Sequence, residues 1–159
     1  MNVQHYLEDL SVGQRFDAGP ITLDPQAIKR FAAEFDPQPF HLDDVAAHDT
    51  LFGGLAASGW HTAAMTMRLL VECGFKPVGG VIGAGIEELQ WPKPTRPHDT
   101  LSIEAEILEL RTSQTRPERG MAKVRVTTLN QSREVVQSYV GNLVIRRRPL
   151  LPHTGSPIR

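Results

Sequence analysis

A single cysteine in 159 residues excludes an intrachain disulfide. That residue, Cys73, sits in the apolar run Met65–Phe75, where a buried, inert thiol is expected. No stretch approaches the roughly 18 continuous apolar residues that a bilayer span requires. The opening Met1-Asn2-Val3-Gln4-His5-Tyr6-Leu7-Glu8-Asp9 has neither a basic start nor an apolar run, so no secretory signal is expected. Together these absences predict a cytoplasmic protein. Neither charge dominates: the net value is −1 at pH 7, which argues against nucleic acid or a membrane surface as partner. Internal repeats are missing too. Gly83-Ala84-Gly85 lacks the third glycine of a phosphate loop, and no helical period follows it.

What is present fits an ordinary globular chain. Hydrophobic residues make up 40% and charged residues 22%, and the length suffices for one domain with a sizeable core. The expected division is a single domain over residues 1–148 and a C-terminal tail over 149–159.

Asp24-Pro25 is a helix-start signal, with Asp as N-cap and Pro at the first helical position. Ile28, Phe31, Ala32 and Phe35 then recur at helical spacing, and Pro37 predicts an end near Phe35. A short turn of helix is expected at Asp44–Ala47. Ser58–Cys73 holds the longest helical pattern, with Trp60, Ala63, Ala64, Met67, Leu70 and Val71 on one broad apolar face. Few polar residues oppose that face, so this helix is expected to be buried nearly all round.

Beyond Gly79-Gly80 the period changes to that of strands. Val81–Trp91 is a candidate strand. Leu101, Ile103, Ala105 and Ile107 alternate with polar residues, and Met121–Leu129 alternates as well. Asn130-Gln131-Ser132-Arg133 reads as a turn into Val135–Arg146. One buried helix followed by three or four long antiparallel strands predicts an α+β fold. A single sheet over one helix leaves an edge strand exposed, which dimerisation would cover.

The chemistry concentrates in Asp36-Pro37-Gln38-Pro39-Phe40-His41 and in Ser58-Gly59. Two prolines restrict the segment between an acid and an imidazole, so both side chains can face one small volume. Such a pair can share the two proton transfers of an addition or elimination. A helix starting at Ser58 or Gly59 offers free N–H groups where negative charge develops. An Asp before Pro also serves as a plain turn cap, and a loop His is often only hydrogen-bonded, so spacing alone leaves both readings open. His41, His48 and His61 match no zinc-binding pattern. Asp43 and Asp44 are expected to cap the following turn.

At these residues the chain resembles the MaoC-like, (R)-specific enoyl-CoA hydratases. Asp36-Pro37-Gln38-Pro39-Phe40-His41-Leu42-Asp43 is similar to their D-x-N-P-x-H-x-D motif. Leu89-Gln90-Trp91-Pro92-Lys93-Pro94-Thr95-Arg96-Pro97-His98-Asp99-Thr100-Leu101 resembles their L-x-F-x-x-P-V-x-x-G-D-T-L segment, in the same order. The resemblance implies a hot-dog fold, a long central helix wrapped by a curved antiparallel sheet, working as a homodimer or dimer of dimers. It implies reversible hydration of a trans-2-enoyl-CoA to a 3-hydroxyacyl-CoA, with Asp36 and His41 as the catalytic pair. Gly59 and Ser58 would bind substrate, an acyl-CoA or acyl-carrier-protein thioester, and no metal or other cofactor would be needed. Two further readings stay open: a hot-dog acyl-CoA thioesterase, and an inactive acyl-CoA-binding partner subunit.

Departures from the family pattern are visible. Gln38 stands in place of Asn, Ser58 in place of the His before the glycine, and His98 in place of a glycine. Met67 stands where relatives carry a serine that steadies the acid, which is the argument for the inactive subunit.

Overall fold

The computed structural model describes residues 3–151. A 3-10 turn, Leu7–Asp9, precedes strand β1 (Arg15–Thr22). Four helices follow: α1 (Pro25–Phe35), α2 (Pro39–Leu42), α3 (Asp44–His48) and α4 (Gly59–Glu72). Strands β2 (Ile82–Gln90), β3 (Thr100–Thr112), β4 (Arg119–Leu129) and β5 (Val135–Arg146) complete the order. The strands form one antiparallel sheet in the order β1-β3-β4-β5-β2.

Alternation builds the core. Leu101, Ile103, Ala105 and Ile107 of β3 are buried, as are Ala122, Val124 and Val126 of β4. The register sets Ala105 opposite Val126 and Ile107 opposite Val124. Leu69 and Leu70 of α4 and its C-cap Cys73 pack on this face with Leu143 and Ile145 of β5. Each fully buried Leu or Ile contributes about 1.5–3 kcal/mol. A long helix held against an antiparallel sheet is the α+β, hot-dog arrangement. Cys73 is buried, its Sγ donates to Leu70 O at 3.0 Å, and burial pushes its thiol pKa up.

β1 was not expected from the sequence. Asp17 and Gly19-Pro20 interrupt its alternation, and its register slips between Ala18 and Ile21. It is an edge strand, where a proline costs no ladder bond.

The expectation of a helix buried all round is also corrected. The face of α4 turned inward carries His61, Thr62, Thr66, Leu69 and Leu70. Trp60, Met67 and Val71 are exposed at 59%, 39% and 50%. The threonines are tolerated inside because each is hydrogen-bonded: Thr66 Oγ1 donates to Thr62 O at 2.8 Å, and Thr62 Oγ1 donates to Thr95 Oγ1 at 3.0 Å. His61, Thr62 and Thr66 inside, with Trp60, Met67 and Val71 outside, depart from what composition alone predicts.

A second cluster, Leu23, Ile28, Ala47, Leu55 and Ala57, ties α1 and α3 to the segment before α4. It anchors the short helices that carry the acid and the imidazole. No helix among the described residues is long and apolar enough to cross a membrane. Residues 147–151 have no regular structure, and the rest of the expected tail lies outside the described residues.

Candidate active site

Helix α1 ends where Pro37 ends it. Asp36 is its C-cap, its N–H donating to Ala32 O at 2.9 Å. Pro39 then starts α2, one turn that carries His41 back toward Asp36. Four residues show no helical period, so this turn carries no signal in the sequence. Asp36 Oδ2 lies 3.2 Å from His41 Nε2. Gln38 Nε2 donates to the other carboxylate oxygen, Oδ1, at 2.5 Å. The longer amide thus reaches the acid directly.

His41 is 4% exposed, and its Nδ1 lies 2.6 Å from the carbonyl oxygen of Ala56. A carbonyl only accepts, so Nδ1 carries a proton and Nε2 is the nitrogen that exchanges one with Asp36. Ala56 is itself fixed, its N–H donating to Phe40 O at 3.0 Å, while Ala57 N–H donates to Thr95 O at 2.8 Å. Arg96 clamps the segment just before, its guanidinium donating to the carbonyls of Phe52, Gly54 and Leu55. Its charge is thus given to backbone oxygens.

Burial pushes the Asp36 carboxyl up, but hydrogen bonds from Gln38 and Ser58 and the adjacent His41 outweigh it and hold the group below the usual 3.8. Asp36 is therefore a carboxylate at neutral pH. Ser58 matters here. It is wholly buried, it does not line the cavity, and it sits beside the acid while its Oγ accepts Trp60 N–H at 3.2 Å. The residue that caps the helix thus also contributes to lowering the acid's pKa. Met67 lies on the exposed face of α4, so its identity does not bear on Asp36.

The start of α4 leaves one donor free. Trp60 N–H is taken by Ser58 Oγ, and His61 and Thr62 N–H by Ser58 O. Gly59 N–H has no partner among the described residues. Gly59 borders a cavity of about 400 Å³ that also holds Asp36, Gln38, His41, Thr62 and Trp91. Acid, imidazole and a free N–H at a helix N-terminus therefore open into one space. The glycine has a second cause that sequence reasoning missed. A Cβ on Gly59 would fall 2.6 Å from Cε2 of Trp91, so the indole itself requires a glycine there.

Asp43 caps α3, its Oδ1 accepting Ala46 N–H at 2.7 Å, as expected. His48 is exposed beside Asp49, and His61 stacks on Phe31 with centroids 4.7 Å apart. Burial lowers the His61 pKa. His98 adopts φ +67, the left-handed conformation that explains a glycine at this point of the motif.

The fold and the site define a hot-dog protein built around a carboxylate–imidazole pair. The sequence matches the MaoC-like domain over residues 9–130, and the chain belongs to the MaoC-like dehydratase family. It is similar to the MaoC-like dehydratase of Rhodospirillum rubrum, with 55% identity, a TM-score of 0.88, and coverage of 92% of this chain and 99% of that one. The uncharacterized protein YdeM of Bacillus subtilis is 32% identical over 139 residues, 87% of this chain and 96% of the relative. An R-hydratase of Pseudomonas aeruginosa shares the fold at 24% identity and a TM-score of 0.69, covering 97% and 96% of the two chains.

Proposed function

We propose that this protein catalyses the reversible addition of water to a trans-2-enoyl-CoA, giving a 3-hydroxyacyl-CoA. The observation that carries the reading is the Asp36–His41 pair, Oδ2 to Nε2 at 3.2 Å, opening into the cavity that Gly59 borders. Asp36, ionised at neutral pH, takes a proton from a water molecule. The water oxygen attacks the β-carbon, and the double-bond electrons move toward the thioester carbonyl. Gly59 N–H donates to that oxygen as it gains charge, where a donor strengthens most in the transition state. The α-carbon then takes a proton from the pair, so the dyad ends as it began. His41, held by Ala56 through Nδ1, presents Nε2 alone to the water and the acid. Ser58 acts through Asp36 and not by touching substrate.

The thioesterase reading has less support. Hydrolysis needs attack at the carbonyl carbon, whereas the pair can carry both proton transfers of water addition, one from the water and one to the α-carbon. The inactive-subunit reading drew its best support from Met67, which lies on the exposed face of α4, and Asp36 is held as a carboxylate without it.

The working unit is a homodimer. Trp60, Ala64, Met67 and Val71 form an exposed apolar stripe on α4, and Ile82 and Ile86 are exposed on the edge strand β2. An unpaired edge beside exposed apolar residues favours a second copy as cover. The test of the reaction is the loss of enoyl-thioester absorbance with wild-type protein and with Asp36→Asn.

A further inference from the structure

Trp91 follows β2 directly and is 41% exposed, yet its ring is held by packing and by a hydrogen bond. The fused bond of the indole lies on Gly59, where a Cβ would come within 2.6–2.9 Å of Cε2, Cδ2 and Cζ2. Trp60 meets it edge to face, with centroids 5.3 Å apart and planes at 82°. Beside that contact Nε1 donates to Gln137 Oε1 at 2.8 Å. An indole N–H can only donate, so the Gln137 oxygen must face it and the amide nitrogen must face inward. That nitrogen donates to Thr66 Oγ1 at 3.1 Å. Thr66 gives its own proton to Thr62 O, so Thr128 is the donor in the 2.6 Å Thr66–Thr128 contact. Gln137, Thr66 and Thr128 are all wholly buried. A side chain moored to a satisfied buried network is a preformed wall, not a cover that swings away.

This wall stands in the cavity that holds Asp36, His41 and Gly59. If the thioester oxygen is bound at Gly59 N–H and the β-carbon lies at the dyad, carbons beyond the β-position must fit among Phe40, Phe52, Trp60 and Trp91. At about 400 Å³ the space is near the lower end of the roughly 300–1,000 Å³ of ligand pockets. Resting on the hydration reading, we propose that Trp91, tethered by Gln137, is the specificity-determining wall that restricts this protein to short-chain enoyl thioesters.

The test uses saturated acyl-CoA thioesters, which bind without reacting, so it does not depend on turnover. Binding of butyryl-, hexanoyl- and octanoyl-CoA is measured by calorimetry for wild-type protein, Trp91→Ala, Trp91→Phe and Gln137→Leu. A methylene that finds apolar room adds roughly fourfold in affinity. Wild-type protein is expected to gain nothing from butyryl to octanoyl. In Trp91→Ala the octanoyl-to-butyryl affinity ratio is expected to rise at least tenfold. Trp91→Phe, which keeps a ring but loses the tether, and Gln137→Leu, which keeps the indole but frees it, should give smaller rises. Wild-type affinity that climbs through octanoyl, or a ratio unchanged in Trp91→Ala, overturns the proposal. An intact length profile with no hydration of crotonyl-CoA overturns the hydration reading alone. No binding at any length overturns both.

Discussion

The 2.6 Å hydrogen bond from His41 Nδ1 to the carbonyl oxygen of Ala56 decides how the dyad holds its protons. Because that nitrogen always donates, Nε2 is the one position of the ring that gains or loses a proton at the site. Asp36 stands 3.2 Å from it. The pair therefore exchanges protons along a single line, and the cavity lies open to both.

Ser58 is expected to tune the acid. Its hydroxyl helps hold the Asp36 carboxyl below the ordinary value, so removing it raises the Asp36 pKa. Ser58→Ala should shift the acid limb of kcat/KM to higher pH. It should also cost about 1 kcal/mol of stability through the lost helix cap. An unmoved acid limb with that stability loss would show that Ser58 is only a cap.

The same carboxyl makes stability depend on pH in a defined direction. Burial raises its pKa, but the hydrogen bonds from Gln38 and Ser58 and the adjacent His41 outweigh it, leaving the folded value below 3.8. The unfolded chain then binds the proton first. Asp36 contributes its full stabilisation above 3.8, and that contribution disappears as pH falls through the folded value. Urea denaturation of wild-type protein and Asp36→Asn at stepped pH should show a constant difference near neutrality that narrows below about pH 4. A difference that stays constant into acid contradicts this.

Gly59 and Trp91 should be coupled. Gly59→Ala forces a methyl group into the indole, and overpacking of this kind costs roughly 1–3 kcal/mol. Trp91→Ala removes the obstacle. A double-mutant cycle should show that Gly59→Ala is far less costly in the Trp91→Ala background. Additive effects would mean that the two residues do not meet in solution.

These contacts show why part of the site was legible in the sequence and part was not. Asp36 and His41 announced themselves through prolines that bracket them, because local restriction is a property of neighbouring residues. α1, β3 and β4 were readable for the same reason, through a cap and periodicity. The Ser58 hydroxyl, the Arg96 clamp and the Trp91–Gln137 tether join residues far apart in the chain, and no spacing records them. The inward face of α4 was misjudged because a threonine's cost of burial depends on partners on other strands. Thr66 finds them in Thr128 and Gln137. β1 was missed because its breakers are tolerated only at a sheet edge, which is a fact of topology.

The exposed stripe of α4 should govern assembly. Wild-type protein is expected to run as a dimer in light scattering, and Met67→Glu with Val71→Glu is expected to run as a monomer. A monomeric wild-type protein at micromolar concentration contradicts the dimer.

The central claim rests on Asp36 and His41 acting on water. The direct measurement is the fall in enoyl absorbance of crotonyl-CoA with wild-type protein, Asp36→Asn and His41→Ala, each shown folded by circular dichroism. Hydration is expected with wild-type protein, with kcat/KM lower by about 100-fold or more in each variant, the scale of a lost general acid–base group. Wild-type turnover that survives unchanged in both variants would contradict the account.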